Sequence, residues 1–253
     1  MGTSETAVDS DGQVPALGYP VPAFVDWIAG AAVAVVGLAL LVGGSALTFV
    51  VDREMIREDI ESGEITVILF ERELTEAQML EFTTEVVSWT GTGLLATGAL
   101  LVLFAVGYVA VRHRAHQRTG DGEVAGNYLA AAVLGAIATT VLSFIPFSPV
   151  VGGGVAGYLE GHETSRSVSV GGVSGLLSMV PGLVILLFVT VGLYAGLSDV
   201  GEGDFGIVVA TAMLLVMLVV AAYGAGLGAL GGFAGGRLSE RERERERERD
   251  MER

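Results

Sequence analysis

Residues 143–161 read SFIPFSPVVGGGVAGYLEG, and this stretch decides how the chain is arranged. Pro146 and Pro149 lack a backbone N–H and crowd the preceding turn, so a regular helix does not continue through them. A glycine-rich apolar segment, residues 150–159, follows directly. In lipid, irregular backbone is stable only beside protein or water. The stretch is therefore predicted to be buried among other membrane helices.

Long apolar runs on either side of this stretch indicate an integral membrane protein. Hydrophobic residues make up 51% of the 253 residues, and glycine occurs 37 times. A helix of about 20 apolar residues crosses a hydrocarbon core of about 30 Å. We expect an all-α membrane protein with about five to six transmembrane segments, including a short or re-entrant Pro/Gly-broken arm, and one small extracytoplasmic cap.

The charges lie almost entirely outside the apolar runs. The chain has 29 acidic residues against 14 basic ones, all of them Arg, and a net charge of -15. An acidic, Lys-free composition is typical of proteins that stay soluble in high salt, which predicts a halophilic host. The same charge disfavours nucleic acid as a partner. Cysteine is absent, so the sequence excludes disulfides and thiol chemistry.

Composition divides the chain into a disordered acidic tail, a two-span hairpin with an extracytoplasmic cap, a glycine-rich membrane domain and an Arg/Glu low-complexity tail. In this order they cover residues 1–23, 24–118 with the cap at 52–85, 119–236 and 237–253. The spans of the membrane domain are predicted at about residues 127–145, 150–159, 170–197 and 205–236. The spans of the hairpin are predicted at residues 24–51 and 86–111.

The extracytoplasmic cap is predicted to contain a charged helix, a short strand and the start of the next helix. Gly63 ends the charged helix. Residues 65–70, with the β-branched and aromatic composition typical of strands, form the strand, and Thr75 begins the helix that leads into the membrane. The acidic residues of the cap lack the spacing of an EF-hand, so we interpret them as a solvated surface.

The basic cluster after the second span sets the predicted topology. Arg112, Arg114 and Arg118 lie next to a span end, where such clusters are typically cytoplasmic. With the Arg/Glu tail on the same side, both termini are cytoplasmic in a multi-pass protein of the cell membrane. Residues 150–159 must then return the chain to the cytoplasmic side. As a helix they span about 15 Å, so they either re-enter or cross on a thinned, tilted path.

Glycines recur at four-residue spacing in three of the predicted segments, including Gly171 and Gly175 of the span at 170–197. Such spacing lets two helix backbones approach closely, either within one chain or between two copies of it. The expected partners are therefore the lipid bilayer and, through the glycines, a second copy of the chain. The candidate helix-packing or pore residues are Pro146, Pro149, Gly153, Gly157, Gly161, Gly224, Gly228, Gly232 and Gly236.

The sequence predicts no catalytic, cofactor-binding or metal-binding residues. His113 and His116 share a helix face, but three arginines surround them and no third ligand accompanies them. Asp26 and Trp27, at the start of the first span, are expected at the headgroup level. We therefore do not expect an enzyme.

The stretch SFIPFSPVVGGGVAGYLEG, together with GLLSMVPGLVILLF and GAGLGALGGFAGGRLSE, resembles a family of uncharacterised multi-pass membrane proteins of halophilic archaea. The resemblance covers roughly residues 125–240. Residues 24–118 are similar to a haloarchaeal two-span hairpin that precedes this region in some members. The resemblance implies location and host, and it brings no catalytic residues with it.

Two functions are consistent with these patterns. The first is a non-enzymatic membrane protein with a structural or envelope-associated role. The alternative is a small passive channel or permease for a neutral solute, with the Pro/Gly-broken segment lining the path. The span interiors carry hydroxyls but no ionisable residues, which disfavours proton-coupled or voltage-driven transport.

Overall fold

The computed structural model describes residues 23–64, 68–69, 72–118, 128–160 and 164–252. Within these ranges the chain forms seven α-helices and one two-stranded β-hairpin. In chain order they are α1 (Ala23–Phe49), α2 (Arg53–Glu61), β1 (Ile68–Leu69), β2 (Arg72–Glu73), α3 (Glu76–Arg118), α4 (Tyr128–Val141), α5 (Ser148–Glu160), α6 (Thr164–Asp199) and α7 (Gly203–Met251).

Four of these helices, α1, α3, α6 and α7, are long and apolar enough to cross a membrane. Their outer faces carry large exposed apolar side chains, such as Val42, Leu103 and Leu218. Exposed apolar faces on several helices are what a protein in contact with lipid presents. The architecture is consistent with the predicted all-α membrane protein, with α4 and α5 as two shorter apolar helices.

The N-terminal unit is an antiparallel pair of helices, α1 and α3, with the cap at one end. Gly30 of α1 lies against Val109 of α3, and Gly44 lies against Gly91 and Leu95. The cap helix α2 is preceded by its N-cap residue Asp52, whose carboxylate accepts hydrogen bonds from the N–H groups of Glu54 and Met55. The helix ends before Gly63, which has φ +79°. A small apolar core joins α2 to α3; its buried residues are Ile56, Ile60 and Leu80.

The predicted elements of the cap are largely present. The expected strand coincides with β1 at Ile68–Leu69, which pairs antiparallel with β2, while residues 65–67 and 70 lie outside the described residues. Thr75 precedes the first residue of α3, and its hydroxyl accepts from the N–H of Gln78. Because α3 begins at Glu76 and continues to Arg118, the second predicted span is the middle of one 43-residue helix.

The C-terminal unit is built from α4 to α7. Helices α4 and α5 form an antiparallel hairpin, α6 follows after a short link, and α7 runs antiparallel to α6. The buried residues between α4, α5 and α6 are almost all small: Ala131, Ala132, Ala156 and Val170. Helix α3 joins this unit through α6, where Trp89 and Phe82 lie against Gly192 and Gly196.

Two sequence-based expectations differ from the structure. Residues 143–147, expected to be buried among helices, are exposed, with Phe144 77% exposed. The span predicted at residues 170–197 is part of a longer helix, because residues 164–169 form the first turns of α6. The Arg/Glu tail continues α7 without a break, so this helix of 49 residues extends about 74 Å. The acidic tail, residues 1–22, lies outside the described residues.

Candidate functional site

The two prolines of residues 143–161 lie at the turn between α4 and α5 and at the start of α5. Pro146 lies in the turn and is exposed, whereas Pro149 is buried in the first turn of α5, where a missing N–H breaks no helix hydrogen bond. Between them, Phe147 has φ 67°, in the left-handed region that non-glycine residues rarely adopt. The N–H groups of Ser143 and Ile145 donate to carbonyls three residues earlier. The chain thus reverses within six residues, 142–147.

The glycines of α5 bring its backbone directly against α7. A Cβ at Gly153 would overlap the carbonyl group of Gly228, and a Cβ at Gly157 would overlap that of Gly232. Both α5 glycines are buried. Because the obstacle is backbone and not a mobile side chain, the two helices cannot keep this distance with any larger residue. Gly161, the third member of this predicted row, lies outside the described residues.

The predicted ladder of α7 faces α6 along its length. Gly224 lies against Gly175, with a Cβ there 2.9 Å from the Gly175 carbonyl oxygen, and Gly228 lies against Gly171 and Gly175. Gly232 lies against the backbone of Ser167, and Gly236 against the Ser167 side chain. The structure therefore brings all four glycines of the ladder into one antiparallel helix contact.

A second row of glycines in α7 was not singled out from the sequence. Gly231 and Gly235 are buried against α5, and Cβ atoms there would overlap the carbonyl oxygens of Val150 and Gly154. The signal was the doubled glycine, Gly231–Gly232 and Gly235–Gly236, which gives one helix two small-residue faces. Helix α7 can therefore contact α5 and α6 at the same level along its axis. We call this three-helix contact the glycine seam; it is formed by Gly153 and Gly157 of α5, Gly171 and Gly175 of α6, and the two glycine rows of α7.

The base of the α4–α5 hairpin is tied to its neighbours by polar contacts. Glu160, at the end of α5, is buried and pairs with Arg166 of α6. The Arg166 guanidinium lies 6.0 Å from the ring centre of Tyr128, the first residue of α4. The hydroxyl of Tyr158 donates to Glu242 of α7 at 2.6 Å. Polar contacts thus hold the open end of the hairpin, and glycine contacts hold its length.

A buried ion pair connects α1 and α3 on the same side of the molecule. The Tyr108 hydroxyl donates to Asp26 Oδ1 at 2.6 Å, and Arg112 Nε donates to Asp26 Oδ2 at 2.9 Å. All three residues are only 3% exposed. From the sequence, these residues were interpreted as a headgroup-level acid, an interface anchor and a topology marker. Their antiparallel placement was the missed signal, since positions 26 and 112 lie at matching heights of a two-span hairpin.

Polar groups buried in the helical packing are few, and they are mainly hydroxyls. The described residues contain no group of three or more His, Cys, Asp or Glu side chains placed to hold a metal ion. Ser167 and Ser174 of α6 have buried hydroxyl oxygens without a hydrogen-bond partner among the described residues. The Ser174 hydroxyl lies against Gly135 of α4, so close that a Cβ at Gly135 would overlap it. The site is therefore a packing arrangement with a few buried hydroxyls.

Comparison with known proteins gives one match. Residues 129–238 match DUF5518, a family of unknown function, and the match begins in α4 and ends in α7. It lies within the region where the resemblance was expected, and, as expected, it brings no assigned activity. Helices α1–α3 lie outside the match. No curated protein and no solved structure matches the chain.

Proposed function

We propose that this chain is a non-enzymatic integral membrane protein whose glycine seam fixes a re-entrant helical hairpin, with a structural or envelope-associated role. In this arrangement α1, α3, α6 and α7 cross the membrane. The α4–α5 hairpin enters from the side of Arg112 and returns to it. Both the basic cluster and the Arg/Glu tail that continues α7 then lie in the cytoplasm of the cell.

The height of the hairpin tip is the observation that carries this proposal. Thr140, in the last turn of α4, lines the same groove as Val180 and Pro181. Pro181 lies in the middle of α6, which spans Thr164–Asp199. A 13-residue helix such as α5 extends about 20 Å, too short for a bilayer core of about 30 Å. The tip therefore reaches only the central level of the neighbouring spans.

The glycine seam supports a packing role over transport. Between α5, α6 and α7 the backbones lie so close that a Cβ would overlap carbonyl groups on either side. That contact leaves no room for a solute along the face of α5 that holds Gly153 and Gly157. A helix held this way is suited to a rigid, fixed position, which is what an assembly or scaffold element needs.

The topology can be tested by labelling single cysteines, because the chain has no native cysteine. In proteoliposomes, a membrane-impermeant maleimide should label Glu61→Cys in the cap from one side and Arg166→Cys from the other. Phe144→Cys at the hairpin tip should be labelled from neither side, because the tip lies in lipid although Phe144 is exposed on the chain. Labelling of Phe144→Cys from the side of Glu61 would show a full crossing and overturn the proposal.

A passive path for a neutral solute is the second candidate, and the buried hydroxyls of Ser167 and Ser174 favour it. The same proteoliposomes separate the two functions. The packing proposal expects glycerol release no faster than from protein-free vesicles. The path instead requires faster release that is lost in the Pro146→Ala, Pro149→Ala double variant, whose changes lie in the hairpin turn and the first turn of α5.

A further inference from the structure

An apolar trough runs along the surface of the α1–α3 pair, close to the buried Asp26–Arg112 ion pair. Small residues of both helices form its floor, among them Gly30, Ala34, Ala105 and Ala110, and its volume is about 480 Å³. From Ala105 to His113 it extends about 12 Å along α3. Its lining is apolar along its length and ends at Trp27 and His113. This shape fits a slender apolar chain lying between the helices.

The polar end of the trough is positively charged. Val106 and Ala110 line it, and Arg114 continues the same helix face at four-residue spacing. Arg114 is exposed, whereas the guanidinium of Arg112 is buried against Asp26. Across residues 24–49 and 100–118 Asp26 is the one acidic residue. Among the described residues at this end, Arg114 therefore presents an exposed cation next to an apolar trough.

We propose that the α1–α3 trough binds an anionic phospholipid, with one acyl chain along Gly30, Ala34 and Ala105 and the phosphate beside Arg114. A guanidinium is an effective partner for a phosphate oxygen. Trp27, 60% exposed at the same end, has the amphipathic ring that such residues place at the headgroup level. The proposal rests on the membrane placement above but not on a structural or a transport role for the protein.

The test is native mass spectrometry of the full chain in detergent, titrated with phosphatidylglycerol or with phosphatidylcholine of the same acyl chains. Phosphatidylglycerol should bind more tightly to the wild type. Arg114→Gln should weaken phosphatidylglycerol binding about fivefold, the value of one basic residue near an anionic surface, and leave phosphatidylcholine unchanged. Arg53→Gln, the same change in the cap at the other end of the molecule, should have no effect.

A second pair of variants tests the trough itself. Ala31→Phe should fill the trough and weaken both lipids, whereas Ala39→Phe, on an exposed part of α1, should bind like the wild type. Inorganic phosphate should not displace the bound lipid, since a free anion lacks the acyl chain. Equal binding of the two lipids to the wild type, or equal binding by Ala31→Phe and Ala39→Phe, would overturn the proposal. Neither result depends on the labelling of Phe144→Cys.

Discussion

The two halves of the molecule pack their helices by different means. In the α1–α3 pair, glycines meet backbone at some levels, as where a Cβ at Gly98 would lie 2.6 Å from the Gly37 carbonyl oxygen, and side chains at others, as where Gly30 meets a methyl group of Val109. A buried ion pair also joins Asp26 to Arg112. In the α4–α7 unit, backbone meets backbone, as where Gly153 meets Gly228. A side chain can rotate or be replaced, but a carbonyl group cannot. The second half should therefore tolerate far less change at its contacts.

This difference coincides with the extent of the family match. The match covers residues 129–238, the part of the chain whose helices share the glycine seam, and the α1–α3 pair lies outside it. The seam needs no charged partner along its length, and polar contacts hold the hairpin only at its base. Helix α3 nevertheless packs on this unit, with Trp89 and Phe82 against Gly192 and Gly196 of α6, so the two halves share an interface outside the seam.

The largest effect is expected from filling the seam. Gly228→Leu with Gly232→Leu should abolish stable packing of α5 and α6 on α7, because overpacking costs about 1–3 kcal/mol even where the surroundings can adjust. Here backbone surrounds both positions. We expect a loss of more than about 4 kcal/mol, seen as a collapse of the thermal transition in detergent. Gly226→Leu is the matched control. A Cβ at Gly226 would have no described atom within 4 Å other than those of its own stretch of helix.

The ion pair of the other half should give the next largest effect. Asp26→Ala leaves the Arg112 guanidinium buried without its counter-charge, which costs about 3–5 kcal/mol. Asp26→Leu combined with Arg112→Met and Tyr108→Phe should recover most of this loss, because the three apolar side chains leave no buried polar group without a partner. Thermal unfolding in detergent measures both variants. If Asp26→Ala were as stable as the wild type, the ion pair would not be what holds α1 to α3.

Much of the fold could be predicted because its signals are local. Apolar length predicted α1, α3, α6 and α7, Gly63 predicted the end of α2, and Thr75 predicted the start of α3. The expected burial of residues 143–147 was wrong, because burial depends on which helices surround a turn. The two prolines fix the position of the turn but not its neighbours. The same dependence on tertiary placement explains why the pairing of Asp26 with Arg112 went unrecognised.

The candidate site was predicted only as a set of positions. Four-residue spacing identified Gly153, Gly157 and the α7 ladder, but spacing does not say which helix a glycine faces. The structure supplies the partners, and it adds Gly231 and Gly235 as the face of α7 that meets α5. The halophilic host and a second copy of the chain stay predictions, since neither can be seen in one isolated chain.

The smallest expected effect is also the most direct comparison of the two packing modes. Gly30→Ala brings a Cβ against a methyl group of Val109, while the next nearest atom, the Ala105 carbonyl oxygen, is 3.7 Å away. We expect a loss of about 1 kcal/mol, recovered when Val109→Ala removes the methyl group. Gly153→Ala, blocked by the Gly228 backbone, should lose about 1–3 kcal/mol, and no side-chain truncation on α7 should recover it. Thermal unfolding in detergent compares the three variants. A Gly153→Ala variant as stable as the wild type would mean that the backbone of α7 yields as readily as a side chain, and the distinction between the halves would disappear.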